Sequence, residues 1–83
     1  MKHSYFTNGT CSRRIDIETE DGVIKSVRFE GGCHGNLQGI SSLVVGMRPE
    51  EVVERLDGIC CGTKPTSCPD QLARALREII ATS

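Results

Sequence analysis

Aromatic residues are nearly absent from this chain: Tyr5, Phe6 and Phe29 are all there are, and tryptophan is missing. The large core side chains must therefore be mostly Ile, Leu and Val. A chain of 83 residues buries a modest core, and folds of that size often add a staple. An excess of charge is also missing. The formal net charge is −1, with acids and bases interspersed, which argues against a dedicated binder of nucleic acid or of anionic membrane. No apolar run approaches the roughly 20 residues of a membrane span. The start, Met1-Lys2-His3-Ser4-Tyr5-Phe6, lacks the apolar stretch of a signal peptide. There is no internal repeat, low-complexity tract or long linker. These absences predict one domain over residues 1–83, cytoplasmic and away from membranes. Catalytic patterns are missing as well: no Ser/His/Asp arrangement and no paired carboxylates stand out. The spacing of Gly31, Gly32 and Gly35 matches neither a dinucleotide loop nor a P-loop.

Cysteine, by contrast, is plentiful, with Cys11, Cys33, Cys60, Cys61 and Cys68. In a reducing compartment such a set points to metal binding or catalysis before disulfides, and an odd count fits that reading. Two of the five stand at expected helix starts. Gly31-Gly32-Cys33-His34-Gly35-Asn36 leads into an apolar-periodic segment from Leu37, and Thr66-Ser67-Cys68-Pro69-Asp70-Gln71-Leu72 leads into the last one. Pro69 suits the first helical position, which puts Cys68 at the cap. Unpaired backbone N–H groups and the helix dipole favour a thiolate there, the form that a metal ion or a redox partner needs.

The periodicity outlines the fold. Residues 3–7 are expected to form a short strand, and 13–19 and 23–30 a β-hairpin around Asp21-Gly22. A two-residue loop would pair Glu20 with Val23 and put Ile15 and Ile17 on the opposite face from Val27 and Phe29. A three-residue loop, Glu20-Asp21-Gly22, pairs Ile15 with Val27 and Ile17 with Lys25. It gathers Ile15, Ile17, Val23, Val27 and Phe29 on one face, and the expectation is this second register. After Cys33 the period becomes helical: Leu37, Ile40, Val44 and Met47 share a face, with Gly46 as the stop. Pro49 opens a short helix over Glu50 to Leu56, with Gly58 past its end. The last helix is expected over about 69–81, with Leu72, Leu76, Ile79 and Ile80 inward and Asp70 pairing with Arg74. The predicted class is α+β, a small antiparallel sheet of two to three strands packed against three helices.

That topology gathers thiols. Cys11 precedes one hairpin strand and Cys33 follows the other, so both belong at the same end of the sheet. Cys68 starts a helix that packs back on the sheet, and Cys61 lies on the loop leading to it. Four thiolates suit tetrahedral Zn²⁺ or an iron–sulfur cluster. No pair has the tight C-x₂-C spacing, and the alternative is that several are small buried apolar residues. Adjacent Cys60 and Cys61 can hardly both enter one tetrahedral site, so Cys60 is read as the spare. His34, beside Cys33, is read as a solvated loop histidine.

The stretches Cys11-Ser12-Arg13, Phe29-Glu30-Gly31-Gly32-Cys33-His34-Gly35-Asn36-Leu37, Leu56-Asp57-Gly58-Ile59 with Cys61, and Thr66-Ser67-Cys68-Pro69-Asp70 together resemble the small four-cysteine TSCPD-domain family. The resemblance spans nearly the whole chain. It implies that the family's cysteines are Cys11, Cys33, Cys61 and Cys68. It also implies a relation to a domain of vitamin-B12-dependent ribonucleotide reductases, so that a ribonucleotide reductase or another redox protein is the expected partner. This chain is too short to be such a reductase by itself. A second resemblance is to U-type iron–sulfur scaffold proteins, whose order of cysteines is similar at Cys11, Cys33 and Cys68. The chain departs from them in having Arg13 after the first cysteine, Ser67 before the last and Cys61 in addition. The expectation is a metal-binding accessory domain, with Zn or an iron–sulfur cluster at the four thiols. The alternatives are a dithiol electron shuttle for ribonucleotide reduction and an iron–sulfur scaffold or carrier.

Overall fold

The computed structural model describes residues 1–10, 12–32, 34–60 and 62–82, and of His34 the backbone alone. The chain begins as an antiparallel meander. Strands β1 (Lys2–Phe6), β2 (Ser12–Glu20) and β3 (Val23–Gly31) form a sheet in the order β1-β2-β3. Helices α1 (His34–Val44), α2 (Pro49–Leu56) and α3 (Cys68–Thr82) follow, and α3 is the longest at 15 residues. The fold is α+β. Among the described residues no helix is long and apolar enough to cross a membrane.

The hairpin corrects the expected register. The loop has two residues, Asp21 and Gly22, both left-handed with φ of 55° and 80°, and Glu20 pairs with Val23. This is the geometry that matches strand twist in a tight hairpin. Taken alone it would put Ile15 and Ile17 on the wrong face. A bulge repairs this: Thr19 pairs with Ile24 but Glu18 pairs with Ser26, so Lys25 is an extra residue on β3. Beyond it Ile17 faces Val27 and Ile15 faces Phe29. The bulge also exchanges one core residue. Ile24 is buried at 1% exposure, and Val23, expected inside, is half-buried.

The bulged strand is at the sheet edge, and the chain covers that edge locally. The Ile24 N–H donates to the Met47 carbonyl and the Gly46 N–H donates to the Ile24 carbonyl, each at 2.8 Å. Such pairing blunts an otherwise open edge. Ile15, Ile17, Ile24 and Val27 from the sheet meet Val44 of α1, Val52 of α2 and Leu72, Ala75, Leu76 and Ile79 of α3 in one core. Tyr5 and Phe29 pack at its margin, whereas Phe6 is exposed. Ile80, expected inward, is only half-buried. The solvent face of the sheet carries alternating charge, with Arg14 near Asp16 (3.2 Å) and Glu30 (3.4 Å).

The two helices that follow a cysteine-bearing turn start close to where the sequence places them. α1 begins at His34, directly after Cys33, because Gly31 and Gly32, with φ of 81° and 88°, complete the turn out of β3 at once. His34 is therefore a helical residue and not a loop residue. α3 begins at Cys68, which makes Cys68 the first helical residue and Pro69 the second. The cap is Ser67. Its carbonyl accepts the Gln71 N–H at 2.8 Å, and its hydroxyl accepts the Asp70 N–H at 3.2 Å.

Candidate functional site

The start of α3 is built from buried polar side chains. Thr66, Ser67, Asp70 and Gln71 are all buried, Gln71 completely. The Thr66 hydroxyl donates to Asp70 Oδ2 and accepts from Gln71 Nε2 at 2.9 Å. The Asp70 carboxylate also takes the Gly58 N–H at 2.7 Å, and Arg74 lies 3.2 Å from its other oxygen, the expected helical pair. Ser67 donates to the Ile59 carbonyl at 2.6 Å while it caps the helix. Gln71 Oε1 accepts the Asn8 N–H at 3.1 Å. The loop before α3 and the loop after β1 are thus both tied to this helix end. Close packing accompanies the bonds: a Cβ on Gly9 would lie 3.3 Å from the Thr66 methyl.

Asp70 stays charged in this setting. Burial pushes its carboxyl up, but the hydrogen bonds from Thr66 and Gly58 and the charge and hydrogen bond of Arg74 outweigh it and hold the group below its ordinary value. A buried carboxylate that accepts donors from a loop, a neighbouring threonine and an arginine one turn on acts as a joint of the fold.

Cys68 is half-buried, and its sulfur lies 3.2 Å from the Ser12 hydroxyl. Ser12 opens β2 and pairs with Gly31, the last residue of β3. Gly32, next along, has no room for a side chain: a Cβ there would lie 2.7 Å from Leu37 Cδ1 and 3.3 Å from the Ser12 nitrogen. The start of β2, the turn from β3 into α1 and the start of α3 therefore meet at one end of the sheet. Ile59 and Gly58 are bound to that same helix start through Ser67 and Asp70.

Of the four thiols read as ligands, Cys68 is placed by the structure. Cys11, Cys33 and Cys61 lie outside the described residues, and what is described is their flanks: Ser12, Gly32 and Cys60. Cys60 is exposed, with its thiol 3.5 Å from the Gly58 carbonyl. Among the described residues no group of three or more His, Cys, Asp or Glu is arranged to hold a metal ion. A cleft of about 190 Å³ between β3 and α1 is lined by Val27, Phe29, Gly31, Leu37 and Gln38, and neither Ser12 nor Cys68 reaches it.

Ser12, Thr66, Ser67 and Gln71 are site residues that the sequence does not single out. A signal for Ser67 was present, since a serine three residues before an acid, followed by an apolar run, marks a helix start. Nothing local marks Gln71 as buried.

The family model of the TSCPD domain matches residues 1–80 of the chain. No curated protein and no solved structure matches it.

Proposed function

On the premise that the chain belongs to the TSCPD-domain family, we propose that it is a small metal-binding domain serving a ribonucleotide reductase or another redox protein. Cys11, Cys33, Cys61 and Cys68 would hold Zn²⁺ or an iron–sulfur cluster. The observation that carries this reading is the meeting of Ser12, Gly32 and Cys68 at one end of the sheet, with the loop before Cys61 tied to the same helix start. The residues present suit such a group. Gly32, having no Cβ, lets Leu37 and the Ser12 backbone pack directly against the turn beside Cys33. Thiolates are the donors that zinc and iron–sulfur clusters accept. A bound metal would supply a cross-link between three chain segments, which a core this small can use.

Metal analysis of the protein purified without oxygen tests the reading. One zinc per chain without visible absorbance is the expected result for a structural site, and iron with sulfide the result for a carrier. In the structural case chelation lowers the melting temperature, and Cys68→Ser does the same while Cys60→Ser has little effect. A metal that saturates the folded state a thousandfold above its Kd adds about 4 kcal/mol. Absence of metal together with an exchangeable disulfide sinks the proposal in favour of a dithiol electron shuttle.

A further inference from the structure

Ser12 is a polar side chain with an unusual address. It is 3% exposed, at the first position of β2, and its hydroxyl lies 3.2 Å from Cys68 Sγ and 3.2 Å from Thr10 Oγ1. Its carbonyl is occupied by the Thr7 hydroxyl and lies 3.3 Å from Thr10 Oγ1. We infer that Ser12 is the positioning residue of the thiol site: it donates a hydrogen bond to the Cys68 sulfur and sets how that sulfur meets a metal ion. The inference rests on the metal-binding reading above and adds to it a residue that is not a ligand.

The direction of the hydrogen bond follows from proton count. A metal-ligating cysteine is a thiolate and has no proton to give, so Ser12 must be the donor. A serine hydroxyl has one proton and two lone pairs. With its proton spent on sulfur, it can take the Thr10 proton on a lone pair. The Thr10 hydroxyl lies within reach of two Ser12 acceptors, the carbonyl at 3.3 Å and the hydroxyl at 3.2 Å. With the Thr10 proton on the Ser12 hydroxyl, the chain runs Thr10 to Ser12 to Cys68 and every proton points toward the sulfur. An O–H bond to a thiolate is charge-assisted, and loss of its exchange with water at a buried serine leaves it no competitor. Such a bond holds the rotamer of the ligand and draws electron density away from the sulfur lone pairs. Partners behind metal ligands matter by about 10- to 100-fold in affinity when removed.

The test uses the full chain, purified without oxygen and stripped of metal, with Zn²⁺ and Co²⁺ as probes. Ser12→Ala is expected to weaken zinc binding about tenfold. It is also expected to move the sulfur-to-cobalt charge-transfer band to longer wavelength, since sulfur without its hydrogen bond gives up electrons more easily. Ser12→Thr keeps the hydroxyl and is expected to restore both values. Ser26→Ala, on the exposed face of β3, serves as the control and changes neither. Thr10→Val is the second variant: it leaves Ser12 in place and is expected to move the band in the same direction by less. A Ser12→Ala protein that binds zinc as the parent does, with the band unmoved, overturns the inference and leaves the metal site standing. A lowered metal-free melting temperature with an unmoved band also overturns it, because a purely structural serine predicts that pattern. If the Ser12→Ala protein does not fold, an unmoved band in Thr10→Val overturns the hydroxyl chain. A parent protein that binds neither zinc nor cobalt, and carries no iron with sulfide, removes the metal reading and this inference together.

Discussion

Two helices of this molecule begin beside a cysteine, and they are held by different means. α3 starts on side chains: Ser67 caps it, Asp70 gathers Thr66, Gly58 and Arg74, and Gln71 reaches the loop after β1. Its body then buries Leu72, Ala73, Ala75, Leu76 and Ile79. Among the described residues α1 starts on backbone: two left-handed glycines make the turn, and Leu37 is buried in its first half. Its body contains Gly35, Asn36, Gly39, Ser41 and Ser42, all poorer helix formers than alanine. One end of the helix pair is over-determined by many long-range bonds. The other depends on a dihedral that few residues adopt. A site that spans both has a firm wall and an adjustable one.

The largest expected effect lies on the firm wall. Asp70→Ala removes a charged acceptor from Thr66, Gly58 and Arg74, and it leaves the Gly58 N–H without its partner. Hydrogen bonds to charged groups are worth roughly 1.5–3 kcal/mol each, and they are not additive here, so a loss of about 3 kcal/mol is expected. For a domain of this size that is a fall in melting temperature of roughly 15 °C, readable by thermal unfolding. A fall of only a few degrees would break the contrast, because the α3 start would then not be the firm one.

The same carboxylate gives the wall an acid limit. Its folded value is lowered from the ordinary 3.8, so the stability it contributes is present above that pH and is lost as pH drops through the folded value. Melting temperatures measured downward from pH 5 should therefore fall more steeply for the parent chain than for Asp70→Asn, which has no such charge to lose. Parallel acid limbs in the two proteins would show that another group sets the acid limit.

A smaller loss is expected at the adjustable wall. Gly32→Ala must hold φ near 88° and place a Cβ 2.7 Å from the end of Leu37 and 3.3 Å from the Ser12 backbone. Leu37 can move at its tip, but the Ser12 strand cannot, and a left-handed alanine costs about 1–2 kcal/mol by itself. The expected total is about 2 kcal/mol in denaturant unfolding, and the change should also disturb the Ser12–Cys68 contact. Gly35→Ala, three residues on, should act in the opposite sense. No described atom lies within 4 Å of the Cβ it would add. A helical alanine in place of glycine adds roughly 0.5–1 kcal/mol. If Gly35→Ala destabilises instead, the start of α1 is more closely packed than its glycines suggest.

Part of this architecture is legible along the chain. The alternation of Ile15, Ile17, Val27 and Phe29 identifies a half-buried hairpin, and the spacing of Leu72, Leu76 and Ile79 identifies the last helix as the one that covers it. The four-cysteine pattern and the Thr66-to-Asp70 stretch announce the family, and the match over residues 1–80 agrees. The hairpin register was not legible. Asp21-Gly22 asks for a two-residue loop, the apolar faces ask for a different offset, and only a bulge at Lys25 satisfies both. A bulge leaves no composition signal of its own.

Sequence by itself determined the elements, because strand and helix periods are local properties that depend on neighbours within a turn or two. Tertiary structure alone decided which polar groups are buried and which distant groups they meet. Asn8 meets Gln71 across 63 positions, Ser12 meets Cys68 across 56, and Gly58 meets Asp70 across 12. Burial of a serine, an aspartate or a glutamine is tolerated only where a partner from elsewhere in the chain satisfies it. The sequence windows around Ser12 and Gln71 contain Thr10 and Thr66 but neither Cys68 nor Asn8, so the long-range part of their roles exists only once the sheet and the last helix have closed on each other.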